Sequence, residues 1–348
     1  MEKLLLKNAQ GLKTKEIPIW MMRQAGRYLP EYQAYRKTNT TLTMFQTPQI
    51  AADITLQPIR RFPHLDGAIL YADILLIPDA LGCGLHFIEG EGPKFEQKVE
   101  TLHHLLSMEK KFENQSAFLD SLFYVFQTLE DVKKQLPPHV TLLGFAGAPF
   151  TVASYMIEGQ GTGGELKNTK KMMFENKELF LRLMDLLTNC TIAYLKTQIV
   201  CGAEVIQLFE SWSGCLSYDQ YHEYCFPFLQ KIVYEIQKQV PVITFFGESA
   251  HLLPLVKQLN PNVFSVDWRQ NMPTIVDYFA DKKIAFQGNL DPQVLLHSKA
   301  EIKNDVAKLK ELFSKNDKPY IFNLGHGIIK NTPIENVEFL IEQLKSET

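Results

Sequence analysis

Eight short apolar segments recur along this chain, and each is followed by a longer stretch with helical periodicity. The segments are six to eight residues long and are rich in β-branched side chains. Near-continuous apolar runs of this length are typical of strands that are buried on both faces, as in a parallel sheet. We therefore predict strands at residues 17–22, 68–73, 140–147, 203–209, 240–247, 263–268, 284–289 and 320–325.

The stretches between these segments have the pattern of amphipathic helices. Residues 175–200 repeat apolar side chains at close to 3.6 residues, and Gly202 stands where such a helix would end. Residues 218–239, interrupted by Pro227, and residues 299–315 are similar. Eight strands alternating with helices is the count of a (β/α)8 barrel, the TIM barrel. We predict an α/β fold with one barrel domain over residues 1–348. An open doubly wound sheet is the alternative, but eight strand–helix units fit a closed barrel better.

Composition places the chain among ordinary globular proteins. It has 348 residues, of which 45% are hydrophobic and 22% charged, and its net charge is −3. No general positive field indicates a nucleic-acid or membrane partner. The five cysteines are odd in number and contain no Cys-x-x-Cys pair, which favours a reducing compartment over a disulfide framework or a structural zinc site. The three leucines near the N-terminus are too few for a signal peptide, so we predict a cytoplasmic protein.

Three of the seven arginines lie within fourteen residues, next to Gly26 and several aromatic residues. They are Arg23, Arg27 and Arg36. Arginine presents a rigid fork of donors that matches carboxylates and phosphates, whereas lysine is a flexible point charge. The cluster predicts a binding site for a polyanion with an apolar body. An ordinary solvated basic face is the alternative, although such faces are normally rich in lysine.

Polar or glycine-rich residues follow every predicted strand, and in a barrel these carboxyl ends meet at one rim, where active sites lie. Asp73 ends an apolar run, where a carboxylate is costly unless it is paired or functional. We predict that it points into the cleft; a helix cap or an arginine partner is the alternative. His326 lies between two glycines and is predicted to be exposed at the rim, or to be a turn residue without a role. Ser211 and Tyr155 could hydrogen-bond an anionic group there.

Three other patterns carry little weight. Residues 159–164 match Gly-x-Gly-x-x-Gly, but they do not come directly off a predicted strand, so we interpret them as a loop at the rim. A triad of Ser211, His326 and Asp73 would lack the Gly-x-Ser-x-Gly turn that exposes a nucleophile. No His-x-Cys or Glu-x-x-His spacing surrounds His326, so we predict no metal at this site.

With these residues assembled, the chain resembles the uroporphyrinogen decarboxylase family. The resemblance is strongest in residues 18–30 (PIWMMRQAGRYLP) and continues, in order, through residues 73–75, 144–149, 155–159, 207–211, 266–268, 287–292 and 323–327. It implies a (β/α)8 barrel, a homodimer, no metal or cofactor, and a step of haem biosynthesis. The family removes the four acetate carboxyl groups of uroporphyrinogen III, which gives coproporphyrinogen III and four CO₂.

The resemblance also implies which residues bind the tetrapyrrole. They are Arg23, Gln24, Ala25, Gly26, Arg27, Arg36, Asp73, Tyr155, Ser211 and His326. The chain departs from the commoner family residues at Gln33, Tyr71, Ala72, Phe150, Ser213, Lys330 and Asn331. None of these departures falls on an implied binding residue.

The chemistry explains the residue types. A carboxylate leaves as CO₂ only if its electron pair has a sink, and a pyrrole protonated on carbon is such a sink. Anionic Asp73 is expected to stabilise that cation. The resemblance points to Arg23 as proton donor, but a guanidinium is a poor acid, and a substrate carboxyl or a water is the alternative. Two other functions remain open: a zinc-dependent corrinoid methyltransferase of a related barrel family, and a tetrapyrrole carrier without catalysis.

Overall fold

Seven parallel strands form the central sheet of the protein. The computed structural model describes residues 2–161 and 163–346. In chain order the strands are β1 (Gly67–Ile69), β2 (Leu85–Ile88), β3 (Gly92–Phe95), β4 (Thr141–Gly147), β5 (Val205–Glu210), β6 (Val242–Phe246), β7 (Val263–Ser265), β8 (Ala285–Gln287) and β9 (Tyr320–Ile321). Within the described residues, β2 and β3 pair as a separate antiparallel hairpin, and the others pair in the order β1-β4-β5-β6-β7-β8-β9.

The segment that we predicted as the first strand closes the sheet, but among the described residues only one bridge pair, Ile19 with Phe322, forms there. The N–H of Phe322 donates to Pro18 O at 2.8 Å on one side, and the N–H of Asp66 donates to Ile19 O at 2.8 Å on the other. Beyond this point a side chain replaces strand backbone as the acceptor: Met22 N–H donates to Asn323 Oδ1 at 2.9 Å. A regular ladder therefore cannot form, although the segment lies between β9 and β1 and completes the barrel.

Helices surround the sheet, mostly between consecutive strands. They are α1 (Leu4–Ala9), α2 (Pro30–Arg36), α3 (Thr41–Gln46), α4 (Pro48–Arg61), α5 (Leu76–Ala80), α6 (Leu102–Glu113), α7 (Gln115–Asp120), α8 (Phe123–Gln135), α9 (Pro149–Glu158), α10 (Lys167–Glu175), α11 (Lys177–Val200), α12 (Tyr218–Tyr224), α13 (Phe226–Gln237), α14 (Leu253–Leu259), α15 (Met272–Tyr278), α16 (Lys299–Ser314) and α17 (Ile334–Lys345), with short 3-10 turns at Ser213–Cys215, Ala250–Leu252 and Pro292–Leu296. None of the helices in this described part of the chain has the length and apolar character needed to cross a membrane.

The helix predictions differ from the structure mainly at breaks. The stretch predicted from residue 175 begins as α11 after Asn176, whose side chain accepts from Leu179 N–H. The stretch from residue 218 is divided into α12 and α13, because Pro227 stands in the first turn of α13, where a missing N–H costs nothing. The glycine-rich residues 159–164 follow helix α9 and not a strand, as predicted; Thr162 lies outside the described residues.

The interior of the barrel has an apolar floor with a polar layer above it. Side chains of α1, of the closing segment and of six strands form the floor: Leu5, Ala9, Trp20, Met22, Leu143, Val205, Ile243, Phe245, Val263, Ala285 and Ile321. Above it, Gln287 accepts from the Trp20 indole N–H at 2.8 Å and donates to Gln207 at 3.1 Å and to Ser265 at 2.9 Å. Because these amides bond one another, the barrel is filled beneath its carboxyl-end rim.

Candidate active site

The loop that follows the closing segment carries the first predicted site residues. Arg23 has a left-handed backbone, with φ at +60°. A side chain at Gly26 would place its Cβ 2.8 Å from Arg23 O, so the turn requires glycine. At Gly327 a Cβ would lie 2.4 Å from Arg23 Cδ. The Arg23 side chain therefore lies directly against the backbone that follows His326. This contact brings the arginine cluster near the N-terminus together with the Gly-His-Gly segment near the C-terminus.

The seven arginines divide into two groups according to their partners. Four form ion pairs with carboxylates at 2.5 to 2.9 Å: Arg60 with Asp53, Arg61 with Glu31, Arg182 with Glu109 and Arg269 with Glu248. Arg23, Arg27 and Arg36 have no carboxylate at ion-pair distance within residues 2–161 and 163–346. Arg27 is exposed, and Arg36 donates to the Thr41 hydroxyl. Among the described residues, these three guanidinium groups therefore have no carboxylate partner that would compete with an anion from solution.

Asp73 lies just beyond β1, which ends four residues earlier than predicted. The strand ends early because Tyr71 N–H donates to the Thr55 hydroxyl at 3.0 Å and not to a neighbouring strand. Asp73 Oδ1 accepts from Leu75 N–H at 2.9 Å. Burial raises the pKa of the Asp73 carboxyl from 3.8 to about 6, while the Leu75 amide and the charge of Arg23 lower it. Asp73 is therefore largely anionic at pH 7, at a position where anionic charge is costly.

Tyr155 and Ser211 come from neighbouring elements. Tyr155, on α9, packs against Trp212 with ring centroids 5.9 Å apart. Burial raises the pKa of Tyr155, the charge of Asp73 raises it further, and the charge of Arg23 lowers it, so both charged side chains are close enough to act on Tyr155 electrostatically. Ser211 follows β5 directly and is half-buried.

His326 is exposed at the rim, as predicted, and its ring lies 6.2 Å from that of Phe245. Burial of part of the ring and the positive charge of Arg23 lower the pKa of His326. This shift favours the neutral imidazole, which can accept one hydrogen bond and donate another.

Gln24 is used by the fold. It is buried, its Oε1 accepts from Met21 N–H at 2.9 Å, and its Nε2 donates to Gly67 O at 2.9 Å. Its side chain therefore holds the closing segment against β1, and only its backbone is left for a ligand. Ala25 is half-buried against the main apolar core.

Several departures from the family pattern also lie away from the open rim. Phe150 is fully buried and packs against Tyr221, with ring centroids 6.4 Å apart. The buried Ser213 hydroxyl donates to Glu210 O at 3.2 Å. Tyr71 is closer to the site: its hydroxyl lies 3.1 Å from that of Tyr32. Gln33 donates to Arg27 O and so supports the arginine loop.

Two carboxylates near the rim have roles that sequence reasoning missed. Glu210 ends β5 and Asp267 follows β7; each is 1% exposed. Asp267 accepts from Glu248 N–H at 3.1 Å and from Arg269 N–H at 2.9 Å. The sequence signal for both is the same as for Asp73, an acidic residue at the end of an apolar run. No group of three or more His, Cys, Asp or Glu side chains within the described ranges could hold a metal ion; metal independence stays a prediction.

Comparison with known proteins decides the family. A sequence model described as "Uroporphyrinogen decarboxylase (URO-D)" matches residues 1–346. The chain belongs to the uroporphyrinogen decarboxylase family. It is 41% identical over 334 residues to the uroporphyrinogen decarboxylase of Vesicomyosocius okutanii, covering 94% of this chain and 93% of the relative. With that of Thermodesulfovibrio yellowstonii it shares 39% identity over 342 residues, covering 98% and 97%.

Solved structures support the architecture. A methyltransferase from Methanosarcina mazei superposes with a TM-score of 0.76 over 98% of this chain and 96% of that protein, at 17% identity. A B12-independent methionine synthase from Shewanella sp. W3-18-1 gives a TM-score of 0.54 at 10% identity, over 95% and 94% of the two chains. At such identities the likeness concerns the fold alone. The predicted α/β barrel is confirmed.

Proposed function

We propose that this member of the family is a carboxy-lyase that removes the four acetate carboxyl groups of uroporphyrinogen III in haem biosynthesis, giving coproporphyrinogen III and four CO₂. One observation supports this most directly. Arg23, Arg27 and Arg36 lack carboxylate partners within the described residues, whereas the other four arginines have them. A substrate that carries eight carboxylates supplies what these arginines lack.

In the proposed reaction each acetate side chain gains one proton and loses CO₂. A pyrrole carbon is protonated first, which makes the ring cationic. The bond from the side-chain methylene to the carboxylate then breaks, and its electron pair neutralises the ring. The methylene carbon takes up a proton to become a methyl group, and the ring carbon returns its proton. The protein must therefore stabilise a transient cation and hold the remaining carboxylates still.

Asp73 is the proposed electrostatic partner of that cation. Its carboxylate is anionic at pH 7 although burial raises its pKa to about 6, so its negative charge is available to stabilise a cationic ring. The pyrrole N–H groups are donors of the kind that an anionic acceptor would hold. The arginines would bind carboxylates, while Tyr155, Ser211 and neutral His326 would hydrogen-bond them. Arg23 is the proposed proton donor, with a substrate carboxyl or a water as the alternative, because a guanidinium gives up its proton with difficulty.

Anaerobic incubation with uroporphyrinogen III, followed by measurement of CO₂ and product analysis, tests the activity. Stepwise loss of four carboxyl groups is the expected result. Tetrapyrrole binding without CO₂ release would indicate a carrier instead. Thiol-dependent methyl transfer that requires zinc would indicate the methyltransferase alternative, which the family match does not favour.

We also propose a cytoplasmic homodimer in which residues 1–348 form one catalytic domain without metal or cofactor, and which has neither nucleic-acid nor membrane partners. The five cysteines support the compartment: all are free thiols, and Cys83, Cys190 and Cys225 are buried. Light scattering on the eluted protein would give its mass, and a mass of one chain would contradict the dimer. Limited proteolysis that released a stable half-chain would contradict the single domain.

A further inference from the structure

A buried carboxylate lies directly behind the predicted binding residue Ser211. Glu210 is 1% exposed and has no cationic partner at ion-pair distance within the described residues. Each of its oxygens accepts from a hydroxyl group: Oε1 from Thr151 on α9 and Oε2 from Tyr221 on α12, the latter at 3.1 Å. A buried carboxylate is costly unless its oxygens are hydrogen-bonded, so this arrangement is specific.

The hydrogen bonds have a fixed direction that leads to the rim. Ser211 N–H donates to Thr151 Oγ1 at 2.8 Å. A backbone amide can only donate, so the Thr151 oxygen is the acceptor in this bond, and the Thr151 hydroxyl in turn donates to Glu210 Oε1. The Glu210 carbonyl also accepts from Gly247 N–H at 3.0 Å, which attaches the end of β6. Glu210 therefore connects three elements just beneath the site.

Thr151 stands one helical turn before Tyr155 on the same face of α9. The bond from Ser211 to Thr151 thus sets the distance between two side chains that are proposed to hold the substrate, one on a strand end and one on a helix. We propose that Thr151 and Glu210 are positioning residues, which hold Ser211 against α9 and thereby determine how tightly the site binds a substrate carboxylate. This rests on the proposed function, because Ser211 and Tyr155 are binding residues only there.

A purely structural role is the competing explanation, and Tyr221 separates the two. Thr151 and Tyr221 each give Glu210 one hydroxyl donor, but Tyr221 makes no bond to Ser211. Thr151→Val and Tyr221→Phe each delete one hydroxyl and keep the side-chain shape. Both should lower Tm, since each leaves one buried oxygen of Glu210 without a donor.

The two variants should differ in substrate binding. Thr151→Val should raise KM by roughly tenfold or more with a smaller change in kcat, because a displaced binding group weakens the positioning of substrate. Thr151→Ser, which restores the hydroxyl, should return KM to within about twofold of the wild-type value, and Tyr221→Phe should stay in that range. If Thr151→Val lowers Tm but leaves KM within about twofold, as Tyr221→Phe does, the positioning role is wrong.

Glu210→Asp serves if Thr151→Val does not fold. It keeps the carboxyl group but withdraws it by one methylene, so KM should rise; a folded Glu210→Asp with wild-type KM would overturn the proposal. Binding of uroporphyrin I, which carries the same eight carboxylates, gives a second measurement. If wild-type protein releases no CO₂, the proposed function fails, while a weaker affinity of Thr151→Val than of Tyr221→Phe for uroporphyrin I would still support the positioning role. Equal affinities would overturn it.

Discussion

Asp73→Asn should separate catalysis from stability, because the two should change in opposite directions. The substitution keeps the shape and one oxygen, so the introduced amide oxygen can still accept from Leu75 N–H, and the arginines can still bind substrate. It removes the negative charge that is proposed to stabilise the cationic ring. Loss of such a partner typically costs about 3 kcal/mol, so kcat should fall on the order of a hundredfold while KM changes little.

The stability effect follows from the pKa of Asp73. Folding raises it from 3.8 to about 6. Below pH 3.8 the carboxyl is protonated in both states and folding carries no penalty. As the pH rises toward 6, the unfolded chain releases the proton while the folded protein retains it, so stability is lost; above 6 the loss is complete. At about 1.4 kcal/mol per pKa unit the penalty at pH 7 is roughly 3 kcal/mol at most.

The observed gain should be smaller than this limit, because Asp73 is only half-buried and its charge also compensates that of Arg23. We expect Asp73→Asn to be more stable than wild type at pH 7 by about 1 to 2 kcal/mol, a rise in Tm of a few degrees at most for a chain of this size. The gain should disappear as the pH falls from about 6 toward 4. Urea unfolding at several pH values and turnover per folded molecule would measure both effects.

The opposite pattern would refute the reasoning. An Asp73→Asn protein that unfolds more easily at pH 7 and turns over normally would show that Asp73 is structural. Asp73→Glu is the matched control, because it keeps the charge and displaces it by one methylene. It should lose turnover without the gain in stability.

Four further outcomes are expected. The kcat/KM of the wild type should fall below about pH 6, where Asp73 becomes protonated, and this decline should be absent in Asp73→Asn; a flat wild-type profile would contradict an anionic role. Arg27→Lys should raise KM about tenfold, since lysine keeps the charge but loses the planar fork, whereas Arg60→Lys, at an exposed ion pair, should not. Activity should survive dialysis against a chelator, and restoration by zinc of a lost activity would revive the methyltransferase alternative. Lys345→Met should lower the free energy of unfolding by roughly 2 to 3 kcal/mol with kcat and KM unchanged, because it leaves the buried Asp66 without its ion-pair partner at the amino ends of the strands; equal unfolding curves would show that the pair contributes nothing.

The periodicity of the sequence was enough to predict the barrel. Apolar runs of six to eight residues, separated by helical patterns, indicate strands that are buried on both faces. This signal can be recognised from local composition alone. The same pattern overestimated strand length, because side chains replace strand backbone as hydrogen-bond acceptors. The Thr55 hydroxyl accepts from Tyr71 N–H, and Asn323 Oδ1 accepts from Met22 N–H. Such partners are distant in sequence, so the ends of β1 and β9 could not be predicted.

The residue types at the rim were also determined by the sequence, as were the arginine cluster and the exposed position of His326. Which arginines have partners was decided by tertiary structure, since Arg269 meets Glu248 only when the ends of β6 and β7 lie side by side. The same is true of Gln24, whose side chain is used to close the barrel, and of Glu210, whose donors come from two helices. Composition and spacing specify which groups a chain can present; burial, pKa and hydrogen-bond partners depend on which distant groups the fold brings within about 3 Å of one another.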